Sequence, residues 1–174
     1  GIVAGYPVDE NNGIDFEAGT VATVYISDNY YYLEDPHFGS RDGLRLRFVG
    51  KDASTSRIHF DMFAGGMNDE YVEFSALTLG EKDTIDSGVG NYASTNSVFK
   101  FTNGAVFNQS GSSLNIKGTN VTFAVESGSS VSYRYMTLGS AIGDALVVDD
   151  ASLTVTRLSV DTAAHLDNVN MRIA

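Results

Sequence analysis

Pairs of apolar residues with one residue between them recur through the second half of the chain, and this alternation constrains the fold most. Because side chains alternate between the two sides of a strand, each pair predicts a short strand with one apolar side. Gly, Ser, Asn or Asp bounds the pairs, as expected at turns. The pairs form two interleaved series, namely Phe99/Phe101, Leu114/Ile116, Val131/Tyr133, Leu153/Val155 and Met171/Ile173, and Phe107, Phe123/Val125, Leu146/Val148 and Leu158/Val160.

The spacing of these pairs predicts a repetitive fold. Steps of 15, 17, 22 and 18 residues separate the first members of the first series. A unit of this size cannot bury its own apolar side, so neighbouring units have to cover one another. Imperfect repeats of about 20 residues are typical of solenoids. The sequence therefore predicts an all-β fold, a parallel β-helix (β-solenoid) with short turns of the coil, which we call rungs.

An antiparallel β-sandwich or jelly roll is the alternative, because it also consists of short alternating strands separated by turn residues. The pattern of strands alone leaves both architectures open. Two-residue hairpin turns are scarce: Asn103-Gly104 lies between plausible strands, whereas Asn12-Gly13 falls in a polar stretch. This scarcity favours the solenoid.

The chain has 174 residues, which is a normal size for one domain. We expect a single solenoid over residues 1–174. Its four parts are an extended N-terminal segment at 1–19, the first rungs at 20–80, a polar loop at 81–97 and short-period rungs at 98–174. The first rungs contain the strand-like stretches ATVYIS at 22–27, LRLRFVG at 44–50, RIHFDMF at 57–63 and YVEFSALTLG at 71–80.

The stretch LRFVGKDASTSRIHF, followed by YVEFSALTLG, resembles the opening rungs of right-handed parallel β-helix proteins of the pectin-lyase-like type. In that family a strand ending in Gly, a short polar turn and an Ile-containing strand precede a rung of the form Phe-x-x-Leu-Thr-Leu/Ile. The resemblance covers roughly residues 20–80, and the remainder only through its period. Enzymes of this fold cleave polysaccharides with clustered Asp residues and a Lys or Arg base. No matching constellation is found in this sequence, so the resemblance implies a non-catalytic surface or adhesin type.

Charge and composition limit the partners. Lys and Arg number 11 and Asp and Glu number 22, which gives a net charge of −11. Binding to a phosphate backbone requires the opposite sign, so we expect no nucleic acid partner. No apolar run is long enough to span a membrane. The chain contains no cysteine, and an acidic, cysteine-free composition is typical of bacterial extracellular or cell-surface proteins.

Three consecutive tyrosines, Tyr30, Tyr31 and Tyr32, lie in the segment DNYYYLEDPHF at 28–38. Because neighbours on a strand point to opposite sides, at least one ring faces outward and is available to stack on a sugar ring. In the alternative interpretation, the rings close the end of the coil. The tyrosines are therefore candidate glycan-binding residues.

The segment RIHFDMF at 57–63 predicts a strand whose polar side carries Arg57, His59 and Asp61, since the apolar residues between them take the other side. These three side chains offer a cation, an imidazole and a carboxylate, which suit a groove for a polar substrate. The alternative is an ordinary solvent-exposed side. We retain the three as candidate ligand-binding residues.

A calcium ion is the only cofactor that the sequence suggests. Asp9, Asn11 and Asp15 surround Gly13 in the segment DENNGID, and calcium prefers such oxygen ligands. The spacing does not match the EF-hand loop, and a turn stabilised by side-chain oxygens is the alternative.

The ends of the chain suggest assembly. The last rung of a solenoid exposes unpaired backbone groups and an uncovered apolar side. Met171 and Ile173 belong to such a rung, and the opening segment GIVAGYPV contains further apolar candidates: Ile2, Val3, Tyr6 and Val8. A head-to-tail contact between the two ends would propagate as a filament. The alternative is that a longer parent chain covers the last rung.

Together these features predict a non-enzymatic, extracellular structural or adhesive β-solenoid module that assembles with itself. A carbohydrate-binding or polysaccharide-processing β-helix module is the alternative. The expected partners are a second copy or a longer parent chain, with glycans as candidate ligands.

Overall fold

The computed structural model describes residues 21–26, 30–33, 37–38, 45–60, 63–64, 68–79, 93–161 and 163–173. Within them, no helix has the length and apolar character needed to cross a membrane. The strands are β1 (Ala22–Ile26), β2 (Tyr30–Leu33), β3 (His37–Phe38), β4 (Arg45–Gly50), β5 (Arg57–Phe60), β6 (Phe63–Ala64), β7 (Tyr71–Ser75), β8 (Thr78–Leu79), β9 (Ala93–Thr102), β10 (Val106–Glu126), β11 (Ser130–Ser140), β12 (Leu146–Asp149), β13 (Ser152–Asp161), β14 (Ala164–Asp167) and β15 (Asn170–Ile173).

The strands stack into three faces, and all ladders between the described strands are parallel. The longer strands bend at corners and so contribute to more than one face. Face A consists of β1, β4, β7, residues 98–102, residues 122–126, β12 and β14. Face B consists of β2, β5, β8, residues 106–109, residues 130–133, residues 152–155 and β15. Face C consists of residues 93–97, 113–121, 135–140 and 157–161.

The chain passes repeatedly from face A to face B and on to face C, which makes it a parallel β-solenoid. On face A, Val72, Phe99, Phe123 and Leu146 are successive register partners. The rungs are about 23 residues apart. The predicted fold class is therefore confirmed, and the antiparallel sandwich or jelly roll is excluded by the parallel ladders.

Inward-facing apolar side chains from all three faces form one continuous core. Because adjacent rungs are in register, the same inward position recurs directly above itself, so similar side chains pack in columns. The residues expected from the sequence to point inward and found buried are Phe101, Ile116, Phe123, Val125, Val148 and Val155. Val160 packs against this core but is only partly buried.

Phenylalanine rings form the centre of the core. Phe74 stacks on Phe48 at a centroid distance of 5.5 Å and on Phe101 at 5.3 Å. Phe99 and Phe123 stack at 5.9 Å with their planes 3° apart. Stacked rings contribute beyond the area that they bury, so each column stabilises the parallel register of its strands.

The corner between faces A and B is built from residues in the left-handed backbone region. Ala76, Asn103, Ser127, Asp150 and Asn168 occupy the same place in successive rungs, with φ between 44° and 53°. Asparagine and aspartate adopt this region more readily than other non-glycine residues. The repeated conformation turns the chain at the same place in each of these rungs and so preserves the register.

A ladder of polar side chains marks the corner between faces C and A. Asp69, Asn96 and Asn120 also have positive φ. The side-chain nitrogen of Asn120 donates to the side-chain oxygen of Asn96 at 3.0 Å, and that of Asn96 donates to Asp69 at 3.1 Å. Each of these side-chain amides thus donates a hydrogen bond to the side chain at the same corner of the preceding rung.

The last residues of the predicted polar loop at 81–97 belong to a strand, because β9 begins at Ala93 and its first residues pair with residues 117–121. Residues 81–92 lie outside the described residues, as does the N-terminal segment 1–19. The strand-like stretches at 44–50, 57–63 and 71–80 contain β4, β5 and β7.

Tyr133 places a hydroxyl group in the core. Its side chain is 2% exposed and meets Phe107 edge-on at 5.7 Å, and its hydroxyl has no hydrogen-bond partner within the described part of the chain. Removing a buried, unpaired hydroxyl while keeping the ring relieves its desolvation penalty. We expect Tyr133→Phe to raise the free energy of unfolding at pH 7 by about 1 kcal/mol, as measured by urea titration.

The advantage of Tyr133→Phe should widen at alkaline pH. Burial raises the pKa of Tyr133 well above its usual value of 10.0, so the folded chain favours the neutral phenol. The stability that this group contributes is complete below the pKa of the unfolded chain and is lost as the pH rises above it. A variant that is less stable than the wild type at pH 7, or an advantage that does not grow above pH 10, would contradict this account.

Candidate functional site

The last rung of the described solenoid, β14 and β15 at residues 164–173, leaves apolar side chains bare. Leu166 is the register partner of Val148, which is fully buried, yet Leu166 is 51% exposed. Ile173 is the partner of the fully buried Val155 and is 60% exposed. Positions that are buried in the core one rung earlier are therefore exposed here, because no further described rung covers them. We call residues 164–173 the C-terminal rung.

Further apolar side chains extend this bare surface. Met171 lies over the fully buried Leu153 and is itself only partly buried. Leu158 and Val160, on the last described strand of face C, also pack against the core without being fully covered. Of the two predicted assembly residues in this region, Ile173 is thus exposed and Met171 is half-buried. Leu166 was not anticipated.

The backbone of the C-terminal rung is paired on one side. β15 pairs with residues 152–155 of β13, and β14 pairs with β12. No described strand pairs with the opposite edge of either one. Such an edge presents N–H and C=O groups at the spacing that another strand requires, so it suits strand addition.

The first described strand differs from the last. Ala22 and Ile26 of β1 are buried, at 1% and 5% exposure. β1 therefore presents no bare apolar side comparable to that of the C-terminal rung. The predicted N-terminal assembly residues lie outside the described residues; they are Ile2, Val3, Tyr6 and Val8.

Strand pairing brings two groups of predicted ligand-binding residues together. β2 and β5 are neighbours on face B, and Arg57 is exposed there. Asp61 lies outside the described residues. The register partners are Tyr30 with Arg57, Tyr31 with Ile58 and Tyr32 with His59.

The predicted calcium ligands Asp9, Asn11 and Asp15 lie outside the described residues, so calcium binding there stays a prediction. Among the residues that the structure describes, no group of three or more His, Asp or Glu side chains is arranged to hold a metal ion.

A charged strip runs along the outside of face A and consists of Arg47, Glu73, Lys100 and Glu126. Glu73 is only 6% exposed, and its Oε2 lies 3.2 Å from Nε of Arg47. Nζ of Lys100 lies 2.6 Å from Oε2 of Glu126. Arg47, Glu73 and Lys100 are register partners on successive rungs. The sequence did not reveal this strip, because register alone brings residues 26 and 27 positions apart into contact.

The strip holds its charges in pairs. The hydroxyl of Tyr71 donates to the carboxylate of Glu73. Burial, followed by this hydrogen bond, raises the pKa of Tyr71 to about 12, so the phenol keeps the proton that it donates to Glu73 even above its usual pKa of 10.0. Both carboxylates of the strip have a cation beside them: Arg47 lies beside Glu73, and Lys100 lies beside Glu126. The arrangement supports a ladder of ion pairs that ties neighbouring rungs together.

A second cationic feature lies at the corner between faces B and C. The guanidinium carbon of Arg134 lies 4.8 Å from the ring centroid of Tyr135, and that of Arg157 lies 5.4 Å from the same centroid. Both arginines are exposed. We call Arg134 and Arg157 the arginine pair.

Comparison of the chain with protein-family models, curated proteins and solved structures finds no match. The parallel β-solenoid therefore rests on the strand register alone, and no family is identified. The broad part of the resemblance to pectin-lyase-like proteins, a parallel β-helix, agrees with the structure.

Proposed function

We propose that the chain is a non-enzymatic structural or adhesive β-solenoid module that extends end to end through its C-terminal rung. The observation that carries this proposal is the exposure of Leu166 and Ile173 directly over the buried Val148 and Val155. A module with this surface gains stability when another rung covers it.

The gain has two sources. Covering the exposed halves of Leu166 and Ile173 contributes about 2 kcal/mol together, since a fully buried aliphatic side chain contributes about 1.5–3 kcal/mol. The unpaired edge of β15 adds backbone hydrogen bonds when a further strand joins it. Half-exposed Met171 and Val169 extend the area that this strand covers.

The proposed occupant is a second copy of the chain, contributing its residues 1–8. This segment contains the apolar residues Ile2, Val3, Tyr6 and Val8. β1 is a poorer candidate because its apolar side is already buried. A contact between different surfaces of two copies does not close on itself, so it extends as a filament.

An extracellular bacterial setting accords with the composition. The chain contains no cysteine and carries a net charge of −11, which keeps an extended surface protein soluble. The same charge opposes contact between copies. Added salt screens this repulsion and should therefore strengthen an apolar end-to-end contact.

Lysine substitutions in the C-terminal rung test the proposal. We expect the wild-type chain to self-associate with increasing concentration in sedimentation velocity experiments. Leu166→Lys combined with Ile173→Lys should abolish this association, because a strand that covers them would bury two charges. The matched control is His165→Lys combined with Asn170→Lys, which places lysines at exposed positions of the same two strands.

The control variant should associate as the wild type does, and both variants should keep the circular dichroism of the folded solenoid. Deleting residues 1–8 should abolish association in the same way. A wild-type chain that stays monomeric at every concentration, or equal loss of association in both lysine variants, would refute docking of a second copy on this rung.

A carbohydrate-binding or polysaccharide-processing β-helix module is the second candidate. The observation that favours it is the pairing of Tyr30 and Tyr32 with Arg57 and His59 on adjacent strands. Release of reducing ends or unsaturated products from pectin or alginate, lost on Arg57→Ala, would support it. A chain without such activity that also fails to bind these polymers would exclude it.

A further inference from the structure

The arginine pair brings two like charges onto one aromatic ring. The guanidinium carbons of Arg134 and Arg157 lie 4.8 and 5.4 Å from the ring centroid of Tyr135, so they are within roughly 10 Å of each other, which does not exceed the Debye length at 0.1 M salt. Within the described part of the chain, no carboxylate forms an ion pair with either arginine. The pair is therefore a local positive charge on a chain whose net charge is −11.

Two carboxylates beside the corner between faces A and B form the opposite pattern. Asp149 and Asp167 are register partners on β12 and β14. Val148 is fully buried, so the next residue, Asp149, lies on the outer side of face A. Glu126, its partner in the preceding rung, has Lys100 beside it, whereas none of the described cations forms an ion pair with Asp149 or Asp167. We call Asp149 and Asp167 the aspartate pair.

One copy of the chain cannot bring its own two pairs together. The aspartate pair precedes face B and the arginine pair follows it, and residues 152–155 form face B between Asp149 and Arg157. Four extended residues span about 13 Å, which is far more than the roughly 4 Å of an ion pair. The charges can therefore pair only between copies.

The two pairs also have the same spacing along the solenoid. Asp149 and Asp167 lie one rung apart, because they are register partners. Arg157 is the register partner of Tyr135, the residue that follows Arg134, so the arginines also lie on successive rungs. Adjacent parallel strands are about 4.8 Å apart, and both pairs repeat with this step. The two patterns thus match in spacing and are opposite in sign.

We propose that the arginine pair binds the aspartate pair of a second copy lying beside the first, so that solenoids associate laterally along the borders of face B. Guanidinium groups bind carboxylates through charge-assisted hydrogen bonds, and two arginines one rung apart suit two carboxylates one rung apart. This contact joins the sides of two solenoids, whereas the C-terminal rung joins their ends.

Two exposed ion pairs are too weak to join single copies. One such pair raises an association constant by no more than about fivefold. In a filament, every copy presents the same two pairs along one side, so the contributions of many copies combine once two filaments lie side by side. The inference therefore rests on the end-to-end assembly proposed above.

Salt distinguishes the lateral contact from the end-to-end contact. At about 0.1 M salt the Debye length is about 10 Å, so repulsion between the net charges is screened beyond that distance while paired charges still attract each other. At about 1 M the Debye length falls to about 3 Å, and exposed ion pairs are screened as well. Lateral association should be lost there, whereas the apolar end-to-end contact should strengthen.

Electron microscopy of the full chain tests the proposal. We expect wild-type filaments to form bundles in about 0.1 M salt and to separate in about 1 M salt. Arg134→Gln combined with Arg157→Gln should leave single filaments in both, and so should Asp149→Asn combined with Asp167→Asn. Arg45→Gln is the matched control, since it removes an arginine that also stacks on a tyrosine ring, and its filaments should still form bundles.

An exchange of charges tests the pairing itself. Filaments with Arg134→Asp and Arg157→Asp should not bundle alone, nor should those with Asp149→Arg and Asp167→Arg, but a mixture of the two should. Single wild-type filaments in about 0.1 M salt, bundles that persist in the arginine variants, or equal loss of bundles in Arg45→Gln would overturn the lateral contact and leave the end-to-end proposal intact. Absence of wild-type filaments at both salt concentrations would overturn both.

Discussion

Replacing Phe123 by alanine is expected to lower the free energy of unfolding by about 3–5 kcal/mol. Phe123 is fully buried and touches three aromatic rings. It stacks on Phe99 at 5.9 Å, lies 5.9 Å from Phe101 and meets Tyr133 edge-on at 6.4 Å. Alanine leaves a cavity in the middle of the solenoid, where neighbouring rungs are held by register and cannot collapse into it.

Urea titration of Phe123→Ala and Ser130→Ala provides the comparison. Ser130 is exposed on face B, so its substitution should change the stability by no more than about half a kcal/mol. If Ser130→Ala were the more destabilising of the two, the assignment of inward and outward positions would be wrong.

Replacing Gly118 by alanine is expected to destabilise the chain by about 3 kcal/mol. A Cβ atom at Gly118 would lie 1.9 Å from the carbonyl oxygen of Ser94, its register partner on β9. The obstacle is backbone, so no side-chain rotation relieves it. The two strands would have to separate at this point, breaking the ladder between residues 93–97 and 117–121.

Gly111 provides the matched control for Gly118. It lies in the same strand, β10, and a Cβ atom built on it meets nothing within 4 Å. Gly111→Ala should therefore leave the midpoint of thermal unfolding nearly unchanged, whereas Gly118→Ala should lower it by several degrees. Equal midpoints for the two variants would show that β9 and β10 do not pack as described.

The sequence identified inward residues better than it identified rungs. The sequence pattern predicts the same position in successive repeats for Phe99, Leu114 and Val131, but they lie on faces A, C and B. The first two spacings therefore measure the distance between faces. The step from Val131 to Leu153 is a true rung, because these two are register partners. Alternation reports the side of a strand that faces the core, but it does not show where the chain turns.

The corner between faces A and B shows why the sequence does not reveal where the chain turns. Asn103, with φ of 53°, is a residue type that favours a left-handed turn, and the sequence pointed to it through its following glycine. Ala76 adopts the same φ in the preceding rung without any such preference. Stacking on neighbouring rungs fixes its conformation, and a single segment of sequence carries no sign of that.

The sequence likewise predicted only part of the candidate sites. Ile173 was recognised because it belongs to an apolar pair near the C-terminal end, whereas Leu166 was missed in the segment AHLD, where one polar residue separates it from a small alanine. The charged strip and the arginine pair were missed for another reason. The members of each are far apart in sequence, and only the strand register brings them together. Arg157, for example, is placed beside Tyr135 because the two are register partners.

Hydrogen exchange at two protein concentrations tests the central claim most directly, namely that the C-terminal rung is a docking edge for a second copy. The outer backbone groups of residues 164–173 are unpaired among the described strands. Exchange there should slow markedly at high concentration, while exchange at residues 113–118, which are paired in both states, should not change. Identical exchange of residues 164–173 at both concentrations would contradict the claim.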